Sequence, residues 1–535
     1  MPSLAQNLPN LILCRIFEHS VDTFLYIRTL QLEMANYKIM WPFMHLCRSW
    51  REASVDLLLS HAIMTMNRKS RIHLAIALGA YEKVRDVCLL LDTSDVFDGA
   101  VLAKLRQAPL TGSVFPHVSR LHLSLLGPLP SGRPSIALLE GNAIEFCGEI
   151  QRMFPAATYT SINHSPSNRD NVFPAFAKEL MSRLLAGKTG VRTNGVPLTT
   201  NPCLLSTPCC LQSIETVMRR ESPEFIGVIN RSWQTLQQIH LIVPSSSTIK
   251  QIVVDSQGTV VTYPCLRDLT LSISIGETRL PASELASPDG VPFPVLERLV
   301  LHSQYPFAND ILFRNNGQSL KHLDIELTED TFATFERCGV FDNRRLVNSR
   351  VQHVFRAFVH VPVIEINHCS NVSFDSIEPH LGGLSKTVRV LNIASTHLTT
   401  EQILRLIESL SFLQTMCVTL IESAVLEDDA DYAQNGDRND RPLWHACEGI
   451  SAAGVRLVSG PATSQRLLYA GIHQQLNVRL HISFRLQVIL MLRCPSIRRF
   501  DFVLGECTSV DSSLITSDVA FVELAARIGV GAGGW

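Results

Sequence analysis

The stretch Pro294-Val-Leu-Glu-Arg-Leu-Val-Leu-His-Ser303 carries leucine at positions 296, 299 and 301. Leu299 and Leu301 alternate with other residues, which is the spacing of a short β-strand with one buried face. Pro294 stands just before this segment, where proline can begin a strand but cannot continue one. The stretch therefore predicts one short strand whose leucines point into a core.

The same spacing, with apolar residues at positions i, i+3 and i+5, recurs ten times along the chain. Four consecutive repeats follow one another at intervals of 30, 30 and 24 residues. A fixed spacing of this size indicates a repeat array rather than a single closed core. The first residues of the ten repeats are Val84, Val118, Leu236, Leu266, Leu296, Leu320, Val361, Val388, Leu413 and Ile497.

Amphipathic segments separate the predicted strands. In the clearest one, residues 399–410 (TTEQILRLIESL), Thr399 or Thr400 can cap a helix and Glu401 lies in its first turn. Ile403, Leu406, Ile407 and Leu410 share one face of this helix. Strand, turn and helix therefore alternate along the chain.

This alternation resembles a leucine-rich-repeat solenoid. Two repeats also resemble the cysteine-containing type: Cys369 follows Val361, Ile364 and Ile366, and Thr396 takes the same place in the next repeat. The resemblance implies an irregular α/β solenoid of short parallel strands and helices. Repeats of this type are commonly joined to F-boxes.

Two apolar stripes stand at the N-terminus, in Leu8–Phe17 (LPNLILCRIF) and Leu46–Glu52 (LCRSWRE). Both have helical spacing, and together they resemble the F-box, which implies docking onto the Skp-type adaptor of a cullin-RING ubiquitin ligase. Residues 21–40 make a longer connection than the F-box pattern has. The alternative is an N-terminal helical cap on the array. The contact residues implied by the resemblance are Leu8, Pro9, Leu11, Ile12, Ile16, Phe17 and Trp50.

The predicted domain organisation has two parts. Residues 1–65 form a three-helix F-box-like module, and residues 66–535 form the irregular solenoid. Segments rich in turn formers predict loop insertions near 155–235 and 424–445. The second segment is acidic and has no apolar period, as in a solvated loop.

Composition limits the possible partners and compartment. The 535 residues are 46% hydrophobic and 18% charged with a net charge of −2, so no nucleic-acid or membrane partner is expected. No apolar run is long enough to span a membrane. Fourteen cysteines scattered among apolar neighbours indicate reduced thiols and a cytoplasmic or nuclear location.

The sequence offers little catalytic chemistry. Residues 182–190 imitate the end of a phosphate-binding loop but follow a helical segment, so Gly187 is interpreted as a helix C-cap. Cys203, Cys209 and Cys210 lack the spacing of a zinc site. No cofactor, metal or catalytic residue is predicted, and an enzyme remains a third possibility only because residues 124–235 are unassigned.

The predicted function is that of a substrate receptor in an SCF-type ligase, which holds the adaptor and cullin through the F-box and a protein client through the repeats. The alternative is a non-enzymatic leucine-rich-repeat scaffold without a ubiquitin role. Client contacts are expected from polar residues that point outward on or beside the strands. The candidates are Gln238, His240, Arg267, Asp268, Glu297, Arg298, Lys321, His322, Asp324 and Arg389. Histidines His302, His322 and His368 lie on or just after strands and are expected to be surface residues.

Overall fold

A computed structural model describes a large part of the chain. The described residues are 13, 45, 47–65, 70–127, 136–164, 183–194, 211–217, 223–243, 246–255, 257–273, 290–302, 319–326, 351–352, 354–356, 358–367, 373–420, 467, 469–474, 490, 494 and 499–504. The predicted insertion at 424–445, Cys203, Cys209, Cys210, His368 and Cys369 lie outside them. The chain divides into two compact units, Met1–Val243 and Pro244–Trp535.

The described part of unit 1 (Met1–Val243) contains seven strands, and each pairs in parallel with the next along the chain. They are β1 (His61–Thr65), β2 (Asp86–Asp92), β3 (Arg120–Leu126), β4 (Tyr159–His164), β5 (Gly190–Asn194), β6 (Ser213–Val217) and β7 (Gln238–Val243). The helices are α1 (Arg48–Ser60), α2 (Arg71–Ala77), α3 (Thr93–Phe97), α4 (Ala100–Leu105), α5 (Ile136–Met153) and α6 (Pro223–Arg231), with a 3-10 turn at Tyr81–Lys83. Helix α2 contacts β1 and α3 contacts β2, so helices cover one face of the sheet.

The described part of unit 2 (Pro244–Trp535) contains eight strands in the same parallel chain order. They are β8 (Asp268–Ile273), β9 (Arg298–His302), β10 (His322–Glu326), β11 (Val363–Asn367), β12 (Val390–Leu398), β13 (Thr415–Leu420), β14 (Tyr469–Gln474) and β15 (Arg499–Leu504). The helices are α7 (Ser246–Val253), α8 (Leu381–Leu384) and α9 (Thr400–Ser409), with 3-10 turns at Phe374–Ser376 and Glu378–His380. The pairing of β12 with β13 shifts between Ile393 and His397.

The predicted α/β class with short parallel strands is confirmed, and the repeat spacing sets the strand register. Each of the ten predicted repeats coincides with a strand. Leu299 pairs with Leu269 and Leu323, its counterparts in the neighbouring repeats, and all three are buried. Stacking of equivalent leucines builds a continuous core along each sheet, as repeat proteins do.

Helix α9 also forms as its sequence predicts. Thr399 is the N-cap and makes a reciprocal capping box with Gln402. The four predicted core residues of this segment, Ile403, Leu406, Ile407 and Leu410, are buried.

For the described residues of 155–235 the predicted loop insertion is wrong, because strands β4, β5 and β6 and helix α6 lie there, and residues 165–182, 195–210 and 218–222 lie outside the described part. Their repeats keep the spacing but replace leucine by smaller or polar residues. The repeat positions are Ala157, Thr160 and Ile162 at β4, Lys188, Val191 and Thr193 at β5, and Leu211, Ile214 and Thr216 at β6, where the first residue of each set precedes the strand. At the most divergent position, the Lys188 ammonium donates to the Ala157 carbonyl, so a polar side chain is satisfied by backbone.

The predicted boundary at residue 65 also needs correction. Strand β1 pairs with β2, so residues 61–65 belong to the sheet and not to a helical module. Ala62 and Met64 are its buried positions and Leu59 completes the repeat spacing. Helix α1 therefore leads directly into the array.

Two buried threonines on neighbouring strands share one hydrogen bond. The hydroxyls of Thr193 and Thr216 lie 2.7 Å apart, and both side chains are buried. We expect Thr193→Val to lower the free energy of unfolding by about 1 kcal/mol, because the Thr216 hydroxyl loses its partner. The double variant T193V/T216V is expected to recover most of this loss, since no orphaned hydroxyl is left. Chemical denaturation measures both, and a double variant that loses the sum of two single losses would contradict the pairing.

Candidate interaction surface

Each strand presents a second face opposite its buried leucines. In β3, Leu121 and Leu123 are buried, whereas Arg120 is exposed and His122 is half-buried. We call this side of each sheet its polar face. Because the strands are parallel and in register, equivalent residues of successive repeats form rows across it.

Cross-strand ion pairs run along the polar face of unit 1. His61 Nδ1 lies 3.0 Å from Asp86 Oδ2, and Arg192 Nη2 lies 3.0 Å from Glu215 Oε1. The same Glu215 oxygen is 3.6 Å from His240 Nδ1. Acidic side chains thus lie beside arginine or histidine side chains on neighbouring strands.

Tyr159 forms the centre of this face, and Gly190 makes room for it. A Cβ atom on Gly190 would lie 2.4 Å from Cδ2 of the Tyr159 ring, so the ring extends over the neighbouring strand where a side chain is missing. On its other side the ring contacts His122, with centroids 5.7 Å apart. Ser161 is buried on the same strand as Tyr159.

The ionisation of this cluster reflects burial and the neighbouring arginines. The pKa of His122 is lowered to about 4, mainly by burial; the charge of Asp86 opposes this shift, and the charges of Arg192 and Arg120 add to it. His122 is therefore neutral near pH 7. Burial raises the pKa of Tyr159, as does the charge of Glu215, and the charges of Arg192 and Arg120 partly offset that rise.

The polar face of unit 2 is built around Glu365. His322 Nε2 lies 3.2 Å from one Glu365 oxygen, and Asn392 donates to the other at 3.2 Å. The close contact with His322 is the main reason that the pKa of Glu365 is lowered. Two further contacts extend the network, His302 to Asp324 at 3.6 Å and Arg298 to Asp268 at 3.5 Å.

A third row lies just before the strands of unit 2. Glu297 stands between Arg267 and Lys321, at 3.6 Å and 2.8 Å. The hydrogen bond from Lys321 lowers the pKa of Glu297. Exposed pairs of this kind contribute little stability, so they chiefly fix side-chain directions.

The structure brings nearly all predicted client residues into these rows. Seven of them, Arg267, Asp268, Glu297, Arg298, Lys321, His322 and Asp324, lie in the two unit 2 networks. His240 contacts Glu215 in unit 1, and Gln238 accepts a hydrogen bond from Ser213 at 3.3 Å. Arg389 is exposed at the start of β12. Their role in client binding stays a prediction.

Sequence reasoning missed several polar-face residues. Asp86, Arg120 and His122 stand in repeats that were recognised, at the same offsets that select Asp268 and Asp324. Tyr159, Arg192 and Glu215 belong to the divergent repeats of β4 to β6, whose spacing the threonines conceal. Glu365 and Asn392 also stand at the offset from the start of the repeat that selects Asp324.

Most of the predicted adaptor contacts, namely Leu8, Pro9, Leu11, Ile12, Ile16 and Phe17, lie outside the described residues. Trp50 is described and half-buried on α1. On the same helix Arg48, Arg51 and Glu52 are exposed, and Arg48 pairs with Glu52 at 2.8 Å. Leu13, a described residue between these contacts, is helical and buried.

The described part of the chain also bears on three other predictions, on metal sites, on Gly187 and on membrane spans. No group of three or more His, Cys, Asp or Glu residues is arranged there to hold a metal ion. Gly187 has a φ of 68° after helical residues 183–185, which agrees with its predicted place at a helix end. None of the described helices combines the length and apolar character needed to cross a membrane.

Comparison with protein-family models and with curated proteins finds no match for the chain.

Proposed function

We propose that the chain is the substrate receptor of an SCF-type ubiquitin ligase. Its N-terminal stretch, Leu8–Phe17 followed by Leu46–Glu52, binds the Skp-type adaptor and through it the cullin. The polar faces of the two units bind the client protein. The observation that carries the proposal is the order of the two patterns: an F-box-like stretch comes first, and a parallel array with leucine-rich-repeat spacing follows it.

In this role the chain performs no bond chemistry. It raises the effective concentration of client lysines near the conjugating enzyme that the ligase recruits. The networks around Glu365 and Glu297 supply oriented polar groups, because each side chain is already directed by a neighbour. Partner groups can then bind without first ordering a flexible surface.

A second function, a repeat-based interaction scaffold, is favoured by one contact. Helix α1 contains the second half of the F-box-like pattern, yet it packs against β1 and α2 with Ala53, Leu57 and Leu59 buried. That is what a cap on the end of a repeat array does. In this function the N-terminal helices cover the sheet and hold no adaptor.

Co-purification with a Skp-type adaptor separates the two functions. We expect the full-length chain to retain the adaptor and a variant with Leu11, Ile12 and Phe17 changed to glutamate to lose it. Each buried apolar side chain contributes about 1.5 to 3 kcal/mol to docking before association costs, so three changes abolish binding. The control is Leu78→Glu, the same kind of change at a leucine that is 58% exposed.

Circular dichroism must show that both variants keep the native helix and strand content. No co-purification of the wild-type chain would favour the scaffold function. Adaptor binding that survives the triple change would show that the F-box-like stretch is not the contact.

A further inference from the structure

Two arginines without carboxylate partners among the described residues lie side by side at one edge of unit 1, Arg85 just before β2 and Arg120 at the start of β3. Arg85 and Arg120 are both exposed, and no carboxylate of the described residues forms an ion pair with either. They stand at the same edge of neighbouring strands, because the Arg85 carbonyl accepts from the backbone N–H of Ser119 at 2.8 Å and of Arg120 at 3.4 Å. By contrast, Arg106 and Arg152, on the helical side of unit 1, are paired with glutamates.

The nearest charges leave a small positive excess. Asp86 is the register neighbour of Arg120, but its carboxylate contacts His61 on the opposite side. Glu215 is shared by Arg192 and His240. Three arginines (Arg85, Arg120 and Arg192) therefore face two carboxylates that are already engaged, and His122 adds no charge near pH 7 because its pKa is about 4.

The aromatic ring of Tyr159 lies next to these arginines. Tyr159 is the register neighbour of Arg120 on the next strand, and its ring is held between His122 and the space above Gly190. A side chain that reaches Arg120 from solvent can lay its aliphatic stem against this ring. Guanidinium groups beside an aromatic surface suit a carboxylate on a short flexible stem.

We propose that the polar face of β2 to β5 is a docking site for an acidic segment of a partner protein, whose glutamate or aspartate carboxylates bind Arg85 and Arg120 while their stems lie against Tyr159. An excess of about one positive charge fits monoanionic carboxylates better than dianionic phosphates. Arg85 and Arg120 are exposed to solvent, so the proposed ligand is a chain segment and not an enclosed small molecule. The proposal applies to both functions above, and its outcome is independent of adaptor binding.

Fluorescence anisotropy with the full-length protein tests the site. The probe is a labelled peptide of alternating glutamate and serine, compared with the same peptide carrying glutamine. We expect the glutamate peptide alone to bind, more weakly as salt is raised, and Arg85→Gln or Arg120→Gln to weaken binding roughly tenfold each. Arg106→Gln is the matched control and is expected to leave binding unchanged.

Three results would overturn the proposal. They are equal binding of the two peptides, loss of binding in Arg106→Gln as large as in Arg120→Gln, and no binding of the glutamate peptide at low salt. Two further probes, a phosphoserine peptide and a single-stranded oligonucleotide, identify the ligand class. If either probe binds more tightly than the glutamate peptide, the site is specific for that class of ligand and not for an acidic segment.

Discussion

Replacing Leu391 by alanine is expected to lower the free energy of unfolding by about 2 to 5 kcal/mol. Leu391 is fully buried on β12, in register with Ile364 on β11 and Met416 on β13. Its removal leaves a cavity between two stacked repeats, and the flanking strands cannot close it without shifting the ladder. Denaturant titration followed by circular dichroism measures the loss.

The matched control for Leu391→Ala is the next residue. Asn392 points to the polar face, where its amide donates to Glu365 at 3.2 Å. Asn392→Ala is expected to cost about 1 to 2 kcal/mol, because two part-buried hydrogen bonds, to Glu365 and from the Ala394 N–H, are exchanged for bonds to water. Similar losses at both positions would show that the apolar spacing does not set which face of β12 is buried.

Gly190→Ala is expected to destabilise unit 1 by about 1 to 3 kcal/mol, although alanine is normally neutral or favourable in a strand. The new methyl would lie 2.4 Å from Tyr159 Cδ2, well inside contact distance, so the ring must move. The double variant G190A/Y159A is expected to show a smaller cost than the sum of the two single variants, since the clash disappears. This non-additivity, measured by chemical denaturation, is the sign of direct contact.

Gly141→Ala serves as the control for Gly190→Ala. Gly141 lies within helix α5, and a Cβ there would meet no atom within 4 Å. Alanine is expected to stabilise this position by about 0.5 to 1 kcal/mol, because it favours the helix and restricts the unfolded chain. A Gly190→Ala variant as stable as Gly141→Ala would exclude the predicted clash.

The ten recognised repeats show why much of the fold is predictable here. Burial on one face of a strand needs only a local period of two, and a large apolar residue at both inward positions makes that period visible. Strand β9 and helix α9 therefore form where their own residues indicate. The polar-face candidates Asp268 and Asp324 follow from the same spacing, because each stands at an outward position between the inward residues of its repeat.

The divergent repeats mark the limit of this reasoning. Thr160, Thr193 and Thr216 are buried at positions where the pattern demands an apolar residue, and a hydroxyl in the sequence gives no indication of burial. Thr193 and Thr216 are 23 positions apart along the chain, and they satisfy one another only because their strands are neighbours. Since this segment is also rich in turn formers, its sequence predicts loops near 155–235 and not strands.

The sequence by itself determined the class of fold, the parallel strand-and-helix repeat and the face of each recognised strand that is buried, because these depend on spacing within a few residues. Only the tertiary structure decided which polar residues act together. His322 meets Glu365, and Tyr159 fits over Gly190, across connections of irregular length that no local pattern encodes. Contacts between strands depend on register, and register between repeats is fixed by packing of the whole sheet.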